Sequence, residues 1–474
     1  TTSEEEENYL SDKPVYKERR FTIFGYGITE LGHSISIKIK DYEPFLYMRC
    51  PDGWTAKEVK SFKFVINNMV PFYNKKNLVK VSIIKRVPYY GFTNNTKKKY
   101  IKLTFNTISA FYNYKRVITE SDEKPIKIKG KEFDFSKYLC ETKITPLLRF
   151  YHEQDIKPIG WIKVKQKYIE WSYDKKSRCQ LECSVRASKI KPHELNQIGK
   201  FVVASYDIEC TSGDGSFPDP HKKTDKVIQI GTTINIFGEK KNHKYIATLK
   251  KCNPIEDCIV EEFKDERRLI LGWCDFMKKV DPDIITGYNI WGFDWKYIFE
   301  RAKNGNGETC GAYDAMFLKK LCRMGNNDNE RVKAKFLEKE LKSSAMGQNF
   351  LYYVDIEGIV QIDLMKYVQN NYKLSSYKLN NVSKEFMGQQ KEDLSPKQLF
   401  SNYKRGTKDD IKEIAVYCVQ DCALCNNLLN KLQVLPNNVG MGNVCLIPLN
   451  WSIHRGQGVK LLSLVTEVLR KENY

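Results

Sequence analysis

The stretch that most constrains this chain is Phe201-Val-Val-Ala-Ser-Tyr206. An uncharged run rich in β-branched and aromatic residues suits a central strand buried on both faces. It continues without a turn signal into Asp207-Ile208-Glu209. Side chains alternate along a strand, so the two carboxylates share one face and Ile208 takes the other. Charged groups at the end of a buried strand are costly unless they are paired. Further acids follow in similar settings. Asp283-Ile-Ile-Thr-Gly-Tyr-Asn289 reads as a second buried strand with a polar end, and Asp294 stands near the start of a helix in Trp291-Gly-Phe-Asp294-Trp. Tyr417 and Asp421 lie four residues apart in Ala415-Val-Tyr-Cys-Val-Gln-Asp421, which places them on one helix face.

Carboxylates gathered in a dry cleft repel one another, and divalent cations remove that cost. Mg²⁺ prefers oxygen ligands and is usually held by a few carboxylates together with water and phosphate oxygens. Two such ions roughly 3.5–4 Å apart can activate a water and stabilise the leaving oxygen of a phosphodiester. In such a cleft Tyr417 could orient the attacking water, and Asn289 could hydrogen-bond the departing nucleotide. A single acid is more often a surface group or a helix cap. Asp-x-Glu also occurs at Asp328/Glu330 and at Asp355/Glu357, where Leu351–Val354 precedes it as a strand would. Tyr-x-x-x-Asp also occurs at Tyr151/Asp155. Only the set starting at Asp207 has the order Asp-x-Glu, Tyr-Asn-x-x-x-Phe-Asp, Tyr-x-x-x-Asp.

Charge points to a polyanionic partner. The net charge is +20, of which residues 1–200 carry +16. Nucleic acid is the simplest such partner, and a lysine-rich but ordinary surface is the alternative. No stretch reaches the roughly 18 apolar residues of a membrane span. The acidic start, Thr1-Thr-Ser-Glu-Glu-Glu-Glu-Asn8, lacks a secretory pattern and an initiator Met, so the chain reads as processed, trimmed or a fragment. The 14 cysteines are scattered, and reduced intracellular thiols are expected. Cys418, Cys422 and Cys425 fit a buried helix face better than a zinc site. At least one of Trp291 and Trp295 is expected to pack helix against sheet.

The chain divides into a polar tail over 1–18, an α+β module over 19–195, an α/β unit with a mixed sheet over 196–432, and a further segment over 433–474. In the second part, strands are expected at His33–Lys40, Val79–Val87 and Tyr100–Phe105, helices near Thr55–Met69 and Thr107–Ile118, and a solvated loop at Lys97-Lys98-Lys99. In the third, strands are expected at Val227–Phe237 and His243–Leu249. Helices are expected there at about Ile259–Lys279, Phe293–Ala302, Gln361–Asn370 and Lys408–Leu432.

The ordered acids resemble the exonuclease motifs of B-family DNA polymerases of the delta-like replicative type, found in eukaryotes and large DNA viruses. The matching segments are Tyr206-Asp-Ile-Glu-Cys210, Gly287-Tyr-Asn-Ile-Trp-Gly-Phe-Asp294 and Tyr417-Cys-Val-Gln-Asp421. Phe217-Pro-Asp-Pro220, Val227-Ile-Gln-Ile230, Gln361-Ile-Asp-Leu364, Tyr372–Val382, Gln389–Asp393 and Arg455-Gly-Gln457 extend the likeness over about 200–474. The resemblance implies a ribonuclease-H-like 3′→5′ proofreading domain. Asp207, Glu209, Asp294 and Asp421 would associate with two Mg²⁺ or Mn²⁺ ions, and Tyr417 would position water. It also implies DNA contacts at Asn289, Phe217 and Phe293, with loop packing the alternative for Phe217, an N-terminal domain touching the template, and a strand-parting hairpin within Lys333–Val360 with Ser343–Gln348 at its tip. The implied partners are primer–template DNA, single-stranded 3′ ends and the palm, fingers and thumb of the same polymerase, with a sliding clamp as a further candidate and no membrane. The implied setting is the nucleus or a viral replication compartment. No palm motif such as Asp-Thr-Asp is present, so polymerisation would fall to residues outside this chain. Two rival readings are a stand-alone acid-cluster nuclease and a non-catalytic primer–template binding module.

Overall fold

The computed structural model describes residues 20–89, 94–305, 311–325, 334–343, 347–388 and 394–472. The predicted polar tail and the Gln389–Asp393 segment lie outside them. At the centre is a six-stranded mixed sheet, ordered Cys258–Glu262, Asn242–Thr248, Val227–Ile236, Val202–Cys210, Ile284–Gly287 and Val360–Asp363. Val202–Cys210 pairs antiparallel with Val227–Ile236 and parallel with Ile284–Gly287. Within this strand every residue is buried except Val202 and Asp207. The predicted central strand is therefore present, and Asp207 is the place where its interior is open.

Helices cover both faces, giving the α/β architecture expected. Ala204, Tyr206, Ile208 and Cys210 face the helices Glu266–Val280 and Asp294–Lys303, where Trp273 and Trp295 are fully buried. Val203 and its neighbours on the other face meet the helix Lys408–Lys431 through Cys425, Leu428 and Leu429. This 24-residue helix starts with a capping box, in which Thr407 and Asp410 exchange side-chain-to-backbone hydrogen bonds. Its close approach to the sheet requires Gly231, the residue directly opposite Asp207. A Cβ there would lie 2.7 Å from Cys418 Sγ and 3.2 Å from the Cys418 carbonyl carbon.

Three expectations need correction. The stretch read as one helix over Ile259–Lys279 begins as the edge strand Cys258–Glu262, and the helix starts only at Glu266, after Asp265 caps it. Likewise Val360–Asp363 is a strand, and its helix begins at Leu364 with Asp363 as cap. In both, a short β-branched segment abuts a capping acid, and periodicity alone blurs the junction. The lysine run read as a loop enters a strand, Lys98–Phe105.

The first 200 residues build two four-stranded sheets. In one, Leu181–Arg186 returns to pair in parallel with Ser34–Lys40. The other orders Leu78–Arg86, Lys98–Phe105, Phe45–Arg49 and Leu139–Cys140. Helices Ala56–Met69 and Ile108–Thr119 cover one of its faces through Phe62, Ile66, Phe111 and Tyr114. Buried ions tie these regions to the central sheet. Arg178 pairs with Asp281 at 3.2 Å and donates to the Lys320 and Leu321 carbonyls. Arg323 bridges Asp281 and Asp283, and Asp283 accepts the Val202 N–H. A predicted hairpin is present as Lys335–Ser343 with Gly347–Asp355; residues 344–346 of its tip lie outside the described residues. All described cysteines are free thiols, and none of the described helices is long and apolar enough to cross a membrane.

Gly231→Ala is expected to force the long helix off the sheet. Overpacking of this kind costs about 1–3 kcal/mol. Chemical denaturation should report the loss, and the metal-dependent stabilisation described below should shrink with it.

Candidate active site

The acids predicted to converge do so at the end of Val202–Cys210. Asp207 is half-buried, whereas Glu209, Asp294 and Asp421 are buried. A register shift falls between Glu209 and Cys210, a local irregularity of the kind that re-aims side chains beside active sites. Asp294 reaches the cluster from the first turn of its helix. The Ile208 backbone holds its carboxyl, which also meets the Asp207 side chain. Its Oδ1 is buried without a hydrogen-bond partner. Asp421 comes from the long helix on the opposite side of the sheet, with half-buried Tyr417 one turn before it.

Electrostatics follow from this crowding. Burial, then the charges of Asp294, Glu209 and Asp421 among others, push the Asp207 carboxyl well above the usual carboxylate range. Burial raises the Asp294 carboxyl to about 7, with the nearby Asp363 charge adding to the effect. Such acids cannot all ionise together without a counter-charge. Ligand atoms of Asp207, Glu209 and Cys418 lie within 4.8 Å of one another. The unpartnered Asp294 oxygen supplies a further donor beside them. This set fits a divalent cation, and its oxygen-rich character favours a hard one.

Aromatic and polar groups flank the acids. Phe217 is 77% exposed, and its ring stands edge-on to that of Phe293 at 5.4 Å. Phe293 in turn contacts Tyr297 at 5.2 Å. The loop carrying Phe217 is tied down by Asp225, whose buried carboxylate accepts the Gly213 and Asp219 N–H groups. Arg301 reinforces the loop, donating to the Pro220 and Lys222 carbonyls while paired with buried Glu266 at 2.6 Å. Asn289 has a positive φ of 65°, and its amide oxygen lies only 2.3 Å from where a Cβ on Gly292 would stand.

Sequence reading missed the group that fixes this loop. Asp363 is fully buried and accepts from Asn289 N at 3.1 Å, Trp291 N at 2.9 Å and Lys366 N at 3.2 Å. One carboxylate thus caps a helix and holds the turn between Asn289 and Asp294. Its signal was present in Gln361-Ile-Asp-Leu364, which reads only as a helix start unless the neighbouring strand is known. Cys418 was expected to pack in the core. It is buried, as expected, and it also brings its sulfur against the Asp207 carbonyl at 3.6 Å. The competing acid pairs lie elsewhere. Glu357 accepts from Tyr26 Oη at 3.0 Å, and Asp155 pairs with Arg470. Asp328 and Glu330 lie outside the described residues.

Comparison with known proteins agrees with this geometry. Residues 138–382, just over half of the chain, match the family model described as "DNA polymerase family B, exonuclease domain". The chain belongs to DNA polymerase family B. It is 30% identical to a DNA polymerase of Pyramimonas orientalis virus over 96% of this chain and 52% of the relative. It is 32% identical to the DNA polymerase delta catalytic subunit of Dictyostelium discoideum over 95% of this chain and 40% of the relative. The chain thus spans about half, or less, of the length of these family B relatives. A solved family B DNA polymerase from Pyrobaculum calidifontis superposes with a TM-score of 0.64 at 17% identity, covering 96% of this chain and 50% of that one, which establishes the shared fold. The exonuclease domain is ribonuclease-H-like, as the resemblance implied.

The raised Asp294 carboxyl gives a pH test in metal-free buffer. Between the unfolded pKa of about 3.9 and about 7, the folded chain binds more protons than the unfolded one. This group's contribution to stability is therefore full at low pH and lost as pH rises towards 7. The melting temperature of wild type minus that of Asp294→Asn should fall across this window. Adding Mg²⁺ should raise the wild-type value by binding the folded state alone, and should do so far less for Asp207→Ala with Glu209→Ala.

Proposed function

We propose that this chain is the N-terminal and proofreading part of a replicative family B DNA polymerase, and that its acid cleft hydrolyses mispaired nucleotides from DNA 3′ ends. The observation that carries this reading is the meeting of Asp207, Glu209, Asp294 and Asp421 at one strand end, with Tyr417 a helical turn from Asp421. Two divalent cations, Mg²⁺ or Mn²⁺, would be held by these four carboxylates. When bound, they neutralise the acids and stabilise the charge of phosphodiester hydrolysis.

The side chains do the rest. Tyr417 holds the attacking water in line with the terminal phosphorus through its hydroxyl. Asn289 hydrogen-bonds the nucleotide being removed, in a loop that Asp363 keeps rigid. Phe217 stacks on the frayed terminal base and Phe293 supports its ring. Such stacking is worth about 1–3 kcal/mol per base. A mismatched end gives up less pairing energy to enter the cleft, so selectivity comes largely from the duplex itself.

Residues 19–195 are the template-contacting domain in this reading, 196–432 the exonuclease, and 433–474 a return to the N-terminal domain leading towards the palm. The last segment reaches back in the fold, where Ser463 Oγ meets His152 Nε2 at 2.9 Å. The hairpin at Lys335–Asp355 would help to part primer from template. Partners are primer–template DNA, the palm, fingers and thumb, and a sliding clamp. The eukaryotic and viral relatives favour the nucleus or a viral replication compartment.

With Mg²⁺, the chain should shorten a 5′-labelled single-stranded oligonucleotide from its 3′ end, as read on a sequencing gel. Asp207→Ala with Glu209→Ala should reduce this to background while DNA retention persists. Tyr417→Phe should lower kcat by about 10²-fold, the scale of a misplaced reacting group, with KM little changed. Equal inertness of wild type and double mutant with DNA bound would overturn the catalytic reading in favour of a binding module.

A further inference from the structure

The turn between Asn289 and Asp294 is gripped at one residue from three directions. The Trp291 N–H donates to Asp363 at 2.9 Å, its carbonyl accepts the Tyr352 N–H at 2.9 Å, and its ring lies 4.8 Å from that of His454. The first hold comes from the central sheet and the second from the returning strand of the hairpin. The third comes from residues 433–474, where His454 ends the helix Leu449–His454. His454 also meets the hairpin directly. Its ring stacks on that of Tyr353 at 5.2 Å, and its carbonyl accepts from Lys339 Nζ at 2.6 Å. The turn held in this way bears Asn289 at one end and the Asp294 carboxyl at the other.

We propose that His454 is a positioning residue of the exonuclease, acting through the Trp291 ring to keep Asn289 and Asp294 in register with the other acids. The inference rests on the proofreading reading of the cleft, and it adds that residues 196–432 do not complete that cleft alone. The two backbone hydrogen bonds pin the peptide groups on either side of Trp291. The ring is buried, and in a close-packed interior its displacement would carry the turn with it. Stacking is the operative contact. Trp291 Nε1 and His454 Nδ1 are both buried without a hydrogen-bond partner among the described residues, so no hydrogen bond at those atoms orients either ring. The arrangement suits the hairpin's proposed role. A primer end parted by the hairpin must arrive at the nuclease turn, and His454 gives the two a common frame.

Steady-state kinetics of the full chain with Mg²⁺, on 5′-labelled single strands, test this. His454→Ala, and the less disruptive His454→Leu, should lower kcat by up to about 10²-fold, the cost of a misplacement of about 1 Å, with KM little changed. His454→Phe keeps a flat ring and removes an unpaired nitrogen, and should restore most of kcat. Trp291→Leu should lower kcat likewise, and adding His454→Ala to it should cost nothing further, because both act through one contact. Phe62→Leu, in the N-terminal core, should lower the melting temperature and leave kcat unchanged, so lost stability alone does not slow the cleft. Wild-type kcat in His454→Ala and His454→Leu would overturn the proposal and leave the proofreading reading intact. So would failure of His454→Phe to restore the rate, or additive losses in the double variant. An inert wild type would overturn both.

Discussion

The cleft rests on one close approach. The long helix carrying Tyr417 and Asp421 lies so near the sheet at Gly231 that Cys418 occupies the space a side chain there would need. Gly231 is directly opposite Asp207, so the same absence of a Cβ that admits the helix also brings Asp421 to the strand end. Backbone proximity here sets side-chain proximity. The carboxylates then inherit their burial from the packing, and their raised proton affinity from their burial. Cation binding is the state in which this crowding ceases to be a cost.

Around that approach, charged groups in the interior act as fasteners. Glu266, Arg301, Asp225 and Asp363 are all buried, yet none is among the converging acids. Asp225, Arg301 and Asp363 satisfy backbone N–H or carbonyl groups of loops that would otherwise need water, and Glu266 holds Arg301 and accepts the Val227 N–H at a strand start. Removing Glu266 would leave Arg301 charged and unpaired in the interior, which costs about 3–5 kcal/mol. The loops bearing Phe217 and Asn289 are thus held by ionic fasteners behind the cleft, leaving Phe217 exposed at its rim.

Much of this was legible in the sequence because it is local. The uncharged run before Asp207, the Asp-x-Glu alternation and the Tyr417/Asp421 spacing each encode their own geometry. Their common order separated them from Asp355/Glu357, which sits on the hairpin instead. What was illegible is what depends on neighbours distant in sequence. The role of Asp363 needs the parallel pairing of Ile284–Gly287 with Val360–Asp363. The reason for Gly231 needs a helix nearly 200 residues later. The misread helix starts at Ile259 and Gln361 failed for a related reason, since four or five residues carry too few periods to tell strand from helix. Lys98 and Lys99 look alike in the sequence, but the strand sends the first to one face of its sheet while the second donates to the Trp54 carbonyl on the other.

The returning strand Leu181–Arg186 has a consequence for how the chain is made. It sits between Ser34–Lys40 and Glu170–Trp171 in its sheet, so Ser34–Lys40, paired on its other side with Ile23–Ile28, waits well over a hundred residues for its second neighbour. Pairings between such distant segments form slowly, and at ordinary elongation rates of about 5–20 residues per second the wait lasts several seconds. During it, the edge of Ser34–Lys40 has its backbone groups unsatisfied and its Ile35, Ile37 and Ile39 side chains uncovered. A strand edge left open in this way is a template for mispairing until its partner is synthesised.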